Sequence, residues 1–474
     1  MDTRILELKH ATRDLPGGGF VLVLNTGAVI TPEAEAMLQA LHSRSVGGIR
    51  EHLKTLAEKG PEKFMQSFYV GYGHKSIGDC GTGTIFIEGV SMLVAKAIQD
   101  WLLYSGQEAS TRYIDFSTQK FVDPIGSSDS AFVLEEWRKF YLAAQEPVRI
   151  HLRECFPRNK GEDEKAYEKA INARSFDILR GFLPAGASTN LSWHSNLRQA
   201  ADHLALLRHH SLKEVREVAD AMGEALKEAY PSSFGHKRYE DTEAYDQFWM
   251  ESKYYFLGER FPNGTPLIAA SRGPWITRDT IDKTLLESEY RRFLEKRPPK
   301  TELPKQMAEA GTMQFEFLLD FGSFRDIQRQ RSVIQRMPLI NPRFGMHPWY
   351  FDSLPKEAAV VARGLVQRQL DLIAGFWSEA PLVGKFKCSR EILQYYYPMG
   401  MCVPCRLTGD LPALVYVTEL RAQAVVHPTL HEVALVIADE LLERFGYLGL
   451  KLYVDREKGR FDVKRGLQDI TRKD

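Results

Sequence analysis

Two stretches of the chain determine its organisation: FIEGVSMLVAKAIQD at residues 86–100 and FEFLLDFGSFRDIQR at residues 315–329. They align at an offset of 315 − 86 = 229 residues. A second pair, SLKEV at 211–215 and TLHEV at 429–433, follows in the same order at an offset of 429 − 211 = 218. Chance similarities of this length occur among helical proteins. Two pairs in one order nevertheless indicate an internal duplication of about 220 residues per copy.

The duplication divides the chain of 474 residues into two predicted domains, residues 1–235 and residues 245–474. The boundary lies near YPSSFGHKRYEDTEAYD at 230–246, where Pro, Gly and Ser stand between two patterned regions. The length agrees with this division, because it exceeds one ordinary domain and suits two.

Apolar residues spaced three and four apart predict helices at 32–44, 129–144, 195–208, 213–229, 356–376 and 428–445. β-forming residues predict strands at 83–88 and 313–319, each followed by a helix, and a weaker strand at 414–417. Together these patterns predict an α+β fold of the mixed α/β type, in which each repeat is a small sheet packed with helices.

The composition is that of a globular chain, with 44% hydrophobic and 26% charged residues. The 62 Lys and Arg residues balance 62 Asp and Glu residues, so net charge indicates neither nucleic acid nor an anionic membrane as partner. The charged N-terminus is unlike a signal peptide, and no apolar run approaches the roughly 20 residues of a membrane span. Five scattered cysteines suit a reducing compartment. We therefore expect a cytoplasmic protein.

The most informative polar segment is QEASTRY at 107–113, in which Glu108, Ser110 and Arg112 are spaced i, i+2 and i+4. On an extended segment these three side chains project from one face. That face offers a carboxylate acceptor, a hydroxyl and a guanidinium fork, a set that suits a nucleotide. A surface Glu–Arg pair beside a turn is the alternative interpretation.

This region resembles the signature of flavin-dependent thymidylate synthases. The family carries Gly-His-x-Ser/Thr-x-x-Glu, then Arg-His-Arg, then Ser-x-Asn-Glu-x-Ser-x-Arg-Tyr. GHKSIGD at 73–79 is similar to the first element, with Asp in place of Glu. SGQEASTRY at 105–113 is similar to the last, with Gln in place of Asn.

The resemblance implies roles for the residues that match these motifs. It implies that Glu108, Ser110 and Arg112 bind the nucleotide dUMP. The implied flavin contacts of the first motif are His74, Ser76 and Asp79.

The first repeat departs from the family at residues 100–102, where Asp-Trp-Leu replaces Arg-His-Arg. At the offset of 229, the second repeat supplies Arg329-Gln-Arg331, which resembles the missing tripeptide and implies FAD contacts. The second repeat has no Glu-x-Ser-x-Arg-Tyr, so each repeat carries a different part of one signature. Arg325, Arg329 and Arg336 would form one basic stripe if the helix continued. A solvated helix face is the alternative.

Downstream, LPAGASTNLSWHSNLRQAADHLALLR at 183–208 resembles the family's Leu-Pro, Asn-x-Arg and Leu-Arg elements. The resemblance implies flavin contacts for Asn196 and Arg198. It implies a catalytic nucleotide contact for Arg208, a role shared with Arg112. In the second repeat, Arg406 and Arg421 resemble the nucleotide-binding arginines.

The function that the resemblance implies is FAD-dependent reductive methylation of dUMP to dTMP, with methylenetetrahydrofolate and NADPH as co-substrates. Arginines facing the uracil oxygens favour negative charge developing on the ring. Also implied is a homodimer of tandem chains, a pseudo-tetramer, whose active site combines Arg112 from one repeat with Arg329 from the other. Two alternatives stay open. One is a related flavoenzyme that alkylates another pyrimidine nucleotide at C5, and the other is a nucleotide- or flavin-binding homologue without turnover.

A competing motif is Cys402-Val-Pro-Cys405, which has Cys388 upstream and His427 and His431 downstream. These residue types can hold zinc. Structural zinc sites usually contain a second close pair of ligands, which this segment lacks. We therefore expect buried thiols at a turn and no metal.

Overall fold

The computed structural model describes residues 10–24, 30–44, 49–71, 73–112, 115–255, 273–376 and 388–457. The strands in these ranges are β1 (His10–Asp14), β2 (Phe20–Leu24), β3 (Thr82–Ser91), β4 (Ser105–Glu108), β5 (Ser188–Asn196), β6 (Trp275–Asp279), β7 (Thr312–Asp320), β8 (Ile334–Arg336) and β9 (Cys402–Asp410).

The α-helices are α1 (Pro32–Arg44), α2 (Ile49–Lys59), α3 (Glu62–Phe64), α4 (Lys75–Gly78), α5 (Met92–Gln99), α6 (Ser128–Cys155), α7 (Glu164–Leu179), α8 (Leu197–Leu207), α9 (Lys213–Ala229), α10 (Glu240–Lys253), α11 (Lys283–Leu285), α12 (Arg291–Lys296), α13 (Phe321–Gln328), α14 (Pro348–Asp352), α15 (Lys356–Phe376), α16 (Arg390–Leu393), α17 (Leu411–Arg421) and α18 (Pro428–Phe445). Short π and 3₁₀ segments join several of them.

Packing divides the chain into two compact units. Unit 1 consists of residues 1–109 and 187–254, and unit 2 consists of residues 110–186 and 255–474. These units differ from the two sequential domains expected at 1–235 and 245–474, because the segment 110–186 packs with the second repeat. Within unit 2, for example, α6 from that segment contacts α15.

Unit 1 contains an antiparallel sheet in the order β1-β2-β3-β5-β4. Its buried face includes Ile85 and Ile87 of β3 and Trp193 of β5. Helix α9 contacts β1 and β2. The register of β3 against β5 shifts between Ile87 and Val90, where Gly89 has a φ of 71° that favours glycine.

Unit 2 contains an antiparallel sheet in the order β6-β7-β9-β8. In the core strand β7, the side chains of Phe315, Phe317 and Leu319 are buried. Glu316, which lies between the two phenylalanines, is also buried. Helix α18 packs on β7 and on α17. Its buried face includes Leu430 and Ile437.

The two sheets repeat one arrangement, which confirms the predicted fold class of small sheets packed with helices. Four strands occur in equivalent order, β2-β3-β5-β4 in unit 1 and β6-β7-β9-β8 in unit 2. The offset of 229 carries α5 at 92–99 onto α13 at 321–328 without any shift. Strands β3 and β7 confirm the strands predicted before these helices, and α1, α9, α15 and α18 have the predicted bounds.

Two local predictions are wrong. Residues 414–417, predicted as a weak strand, lie inside α17. Asp410 caps this helix by accepting from the Ala413 backbone N–H, and a proline in the first turn is compatible with a helix start. The basic stripe is also interrupted, because α13 ends at Gln328 and Arg336 lies in β8.

Candidate functional site

Arg112 in unit 2 is held by a buried carboxylate from α7. Its Nε and Nη2 donate to the two carboxylate oxygens of Asp177, and the bond from Nη2 is 2.8 Å long. Nη2 also donates to the Val425 carbonyl at 3.4 Å. The Asp177 side chain is only 1% exposed. A bidentate pair fixes the plane of a guanidinium, so Arg112 is presented in one orientation.

A second carboxylate of unit 2, Asp326 on α13, is surrounded by arginines. Arg180 Nη1 lies 3.6 Å from Asp326 Oδ2, and Arg421 donates to the Asp326 backbone carbonyl. Burial raises the pKa of Asp326, but Arg180, Arg112, Arg421 and Arg325 outweigh burial and lower that pKa below its ordinary value. The carboxylate is therefore ionised at neutral pH.

Five arginines share these surroundings, and we call them the arginine cluster: Arg112, Arg180, Arg325, Arg329 and Arg421. Burial lowers the pKa of Arg421, and the neighbouring positive charges of Arg329 and Arg112 lower it further. The five guanidiniums outnumber the nearby carboxylates of Asp177, Asp320 and Asp326. The region therefore carries excess positive charge and favours an anion.

Several buried atoms of the cluster lack hydrogen-bond partners among the described residues. They include Nε of Arg180 and Nε of Arg421, and Oδ2 of the neighbouring Asp326 also lacks a hydrogen-bond partner. Buried donors without partners are costly in a folded protein.

A buried hydrogen-bond network anchors Arg180. Its Nη2 donates to Ser323 Oγ at 2.8 Å, and Ser323 backbone N donates to Asp320 Oδ2 at 2.9 Å. The Tyr350 hydroxyl donates to the same oxygen at 2.8 Å, and Thr429 Oγ1 donates to Asp320 Oδ1 at 2.6 Å. The network holds Arg180 and the start of α13 as one assembly.

His427 completes this network as a neutral imidazole. Burial lowers its pKa well below the ordinary value, and the charges of Arg180 and Arg112 lower it further. Its Nδ1 lies 2.9 Å from Thr429 Oγ1, and its Nε2 lies 3.2 Å from the backbone carbonyl of Asp177. The carbonyl accepts from Nε2–H, so Nδ1 is the acceptor nitrogen. Thr429 Oγ1 gives its hydrogen to Asp320, and the donor to Nδ1 is therefore Ser323 Oγ at 3.3 Å.

Unit 1 contains the first-repeat residues predicted to contact flavin. Arg198 Nη1 donates to Asp79 at 2.9 Å. Asp79 directly follows α4, which contains exposed Ser76, and exposed His74 precedes that helix. Asn196 stands two residues before Arg198 and caps α8, its Oδ1 accepting from the Gln199 backbone N–H at 2.7 Å.

The motif QEASTRY does not form one extended face. Strand β4 ends at Glu108, and Arg112 lies in a turn. Glu108 accepts from Gln99 Nε2 at 2.6 Å within unit 1, whereas Ser110 Oγ accepts from the Arg112 backbone N–H at 3.3 Å within unit 2. The prediction of a single face for the three side chains is therefore wrong. Tyr113 of this motif lies outside the described residues.

The remaining predicted arginines differ in their surroundings. Arg208 forms an ion pair with Glu243 of α10 at 3.0 Å in unit 1. Arg406 Nε donates at 2.9 Å to Glu316, whose side chain is fully buried. Arg331 is exposed two residues beyond Arg329. Of the predicted nucleotide contacts, Arg112 and Arg421 are therefore the ones that the structure brings together, with Ser110 beside Arg112.

Sequence reasoning missed Asp177, Arg180, Asp326 and the network around Asp320. A signal existed for each carboxylate and for Arg180. Asp177 and Arg180 interrupt the otherwise apolar run FDILRGFL at 176–183. At the offset of 229, Asp326 corresponds to position 326 − 229 = 97 of the first repeat, which is Ala97. A charged residue in an apolar pattern indicates a buried partner or a site.

The cysteine motif lies in strand β9, so the prediction that it forms a turn is wrong. Cys402 and Cys405 are both buried, and three positions apart on a strand their side chains point to opposite faces. Burial raises the pKa of the Cys402 thiol. Within the described ranges, no group of three or more His, Cys, Asp or Glu side chains is placed to hold a metal ion. Those ranges also contain no helix with the length and apolarity needed to cross a bilayer.

Comparison with known proteins agrees with the resemblance found in the sequence. Residues 28–232 match the family model described as thymidylate synthase complementing protein. A UPF0159 protein of Chlamydia muridarum is 25% identical over 457 residues, covering 86% of this chain and 84% of that protein. A UPF0159 protein of Chlamydia pneumoniae is 24% identical, and the match covers 80% of this chain and 78% of that protein. A UPF0159 protein of Thermoplasma acidophilum is also 24% identical, and the match covers 81% of this chain and 87% of that protein. Similarity to these proteins therefore extends beyond residues 28–232 into the second repeat.

Proposed function

We propose, from the family match over residues 28–232, that this chain is an FAD-dependent, thymidylate synthase-like enzyme that methylates dUMP to dTMP. The observation that carries the proposal is the arginine cluster. Arg112, from the nucleotide signature of the first repeat, lies in the same compact unit as Arg329 and Arg421 of the second. Under this proposal, arginines from both repeats contribute to one nucleotide site in unit 2.

The cluster has the chemistry that a uracil nucleotide requires. Asp177 holds Arg112 in one orientation, which leaves its Nη1 to donate to a phosphate or a uracil oxygen. The positive charge of Arg421, close enough to Arg112 to affect its electrostatics, adds to the attraction for such an anion. Charge-assisted bonds of this kind are stronger than neutral ones. Guanidiniums beside the ring would also stabilise the negative charge that develops during methyl transfer.

The donors in unit 1 fit a flavin cofactor. His74 and Ser76 are exposed, and Asp79 three residues beyond Ser76 pairs with Arg198, whose side chain is 35% exposed. Such groups hydrogen-bond to ribityl and phosphate oxygens. In unit 2, the exposed Arg329 and Arg331 are cations of the type that a diphosphate binds. When bound, FAD supplies the hydride chemistry of reductive methylation, with NADPH as reductant and methylenetetrahydrofolate as one-carbon donor.

A second candidate is a nucleotide-binding homologue without turnover. The observation that favours it is the segment replacing Arg-His-Arg in unit 1. Asp100 pairs with Lys96 at 3.4 Å, and Trp101 Nε1 donates to Gln199 at 2.9 Å. The Trp101 ring also stacks on His203. These side chains make structural contacts where the family has flavin-binding cations.

The assembly and location are part of the same proposal. A homodimer of tandem chains would reproduce the four repeats of the family's tetramer. The balanced charge and the few cysteines favour a cytoplasmic location without nucleic-acid partners.

The test begins with the purified full chain and FAD, followed by dUMP, with flavin absorbance recorded after each addition. We expect the flavin spectrum to shift on binding and again with dUMP, and dTMP to form when NADPH and methylenetetrahydrofolate are present. Nucleotide binding without dTMP formation would favour the second candidate. A protein whose melting temperature responds to neither ligand contradicts both.

Variants of Arg112 sharpen this test. Arg112→Ala should weaken dUMP binding by about 1.5–3 kcal/mol, because it removes a charge-assisted, oriented donor pair. Arg112→Lys should recover only part of the loss, since an ammonium lacks the fork. Isothermal titration with dUMP measures the effect, and circular dichroism checks the fold. Unchanged affinity in Arg112→Ala would separate Arg112 from the nucleotide site.

A further inference from the structure

Asp326 is a negative charge inside a site whose other charged groups favour anions. Its Oδ2 is 3.6 Å from Arg180 Nη1, and its side chain is 31% exposed. A ligand that approaches the arginine cluster therefore meets this carboxylate as well as the guanidiniums. The equivalent position of the first repeat is Ala97, so the charge is a feature of the second repeat alone.

The effect of such a charge depends on the ligand. A fixed carboxylate repels an anion with an energy proportional to the charge on that anion. Repulsion from Asp326 is therefore weaker for a monophosphate than for a triphosphate at the same place. The carboxylate also neutralises part of the cluster, which would otherwise bind highly charged anions most tightly.

We propose that Asp326 is the specificity-determining residue of the arginine cluster and weakens its binding of nucleoside di- and triphosphates more than its binding of monophosphates. This inference rests on the proposed nucleotide-binding function. The arginines supply affinity for phosphate, and Asp326 limits the total charge that the site accepts. Discrimination between ligands arises because the Asp326 carboxylate repels the same anions that the guanidiniums attract.

The principal experiment compares the full chain with Asp326→Asn, which preserves the shape of the side chain and removes its charge. Dissociation constants are measured for dUMP, dUDP and dUTP, and for phosphate, pyrophosphate and tripolyphosphate. The matched control is Asp371→Asn, which removes one charge from exposed helix α15 of the same unit. Measurements at two salt concentrations test for charge, because salt screens such interactions.

For Asp326→Asn we expect affinity to rise roughly 5-fold for dUMP and roughly 25-fold for dUTP, because the lost repulsion scales with ligand charge and dUTP carries about twice the charge of dUMP. The control should change all three nucleotides by less than about 2-fold. An equal change for dUMP and dUTP, or a loss of affinity for dUTP, would overturn the proposal.

The inorganic series separates this inference from the proposed function. If no nucleotide binds but Asp326→Asn gains affinity for tripolyphosphate far more than for phosphate, the nucleotide function fails and the role of Asp326 in selecting anions by charge stands. If nucleotides bind and Asp326→Asn leaves their ranking unchanged, the inference fails and the function stands.

A second variant covers the case in which Asp326→Asn does not fold because the arginines repel one another. Arg329→Gln removes one positive charge from an exposed position of the cluster. It should lower affinity for dUTP more than for dUMP, roughly 10-fold against 3-fold, by the same charge scaling. Equal losses for both nucleotides would contradict charge-based selection.

Discussion

The two repeats share a backbone arrangement and differ in the charge of equivalent positions. At the offset of 229, Ile87 corresponds to Glu316, Ser91 to Asp320, and Ala97 to Asp326. The first repeat is uncharged at all three positions. The second has a carboxylate at each. The same strand and helix therefore support either an apolar packing layer or a polar network.

The hydrogen bonds of Ser91 and Asp320, which occupy equivalent positions, illustrate this difference between the repeats. Ser91 caps α5 and donates through Oγ to Glu214 at 2.6 Å. Asp320 caps α13 at the equivalent place but accepts from Tyr350 and Thr429. The capping bond to the helix is kept in both. A duplicated fold can thus keep the same helix-capping bond in both copies, while the capping side chain donates to its other partner in one copy and accepts from its other partners in the second.

The comparison predicts its largest effect at Glu316. Glu316→Ala leaves the Arg406 guanidinium without its buried counter-charge, and we expect the free energy of unfolding to fall by about 3–5 kcal/mol. Ile87→Val at the equivalent position of the first repeat should cost only about 0.5–1.5 kcal/mol. Urea unfolding followed by circular dichroism measures both.

A double variant provides the control. Glu316→Met combined with Arg406→Met removes both charges and should recover most of the loss, because two apolar side chains replace a buried ion pair. If Glu316→Ala costs no more than Ile87→Val, the two sheets are energetically equivalent despite their charges.

A second contrast lies between α8 and α17, where an offset of 410 − 196 = 214 aligns His203 with Val417. Burial lowers the pKa of His203 to about 4, although the Ile98 carbonyl at 3.0 Å acts in the opposite direction. Between pH 6.5 and 4 the unfolded chain then binds more protons at this residue than the folded chain. Stability therefore falls as pH falls, by about 2 kcal/mol between pH 6.5 and pH 5 for one such histidine.

His203→Gln should remove that contribution and reduce the dependence of stability on pH over this window. Val417→Ala should lower stability at every pH without changing the slope, since valine does not titrate. Thermal melts from pH 7 to pH 5 compare the three proteins. An unchanged slope in His203→Gln would show that His203 does not titrate in this window.

The smallest expected effect concerns the helix caps Asn196 and Asp410. Each accepts a backbone N–H at the start of its helix, at 2.7 Å and 2.8 Å respectively. Alanine at either position should cost about 1 kcal/mol of stability. Under the proposed function, only Asn196→Ala should also weaken FAD binding. A flavin titration that finds equal loss in Asp410→Ala would mean that the caps are functionally equivalent.

Much of the local structure was accessible from residue patterns. Helices α9, α15 and α18 have the predicted bounds, because their apolar spacing and their flanking turn residues act over a few positions. The segment at 414–417 failed because four apolar residues in a row suit a strand as well as a helix. The capping carboxylate of Asp410 decides between them.

The candidate site was only partly accessible in this way. Arg112 and Arg421 belong to motifs and could be named in advance. Their partners could not, because Asp177 is 65 residues from Arg112 along the chain, and Asp326 is 146 residues from Arg180. No local pattern specifies which buried carboxylate a given guanidinium will contact.

The sequence by itself determined the duplication, the helices of each repeat and the residue types available for binding, since these follow from periodicity and composition. Only the tertiary structure decided that residues 110–186 pack in unit 2 and that Arg112 lies with Arg329 and Arg421. Local propensities act over a few residues. Burial of apolar surface and pairing of buried charges depend on which distant segments meet, and the energy of those contacts selects one arrangement.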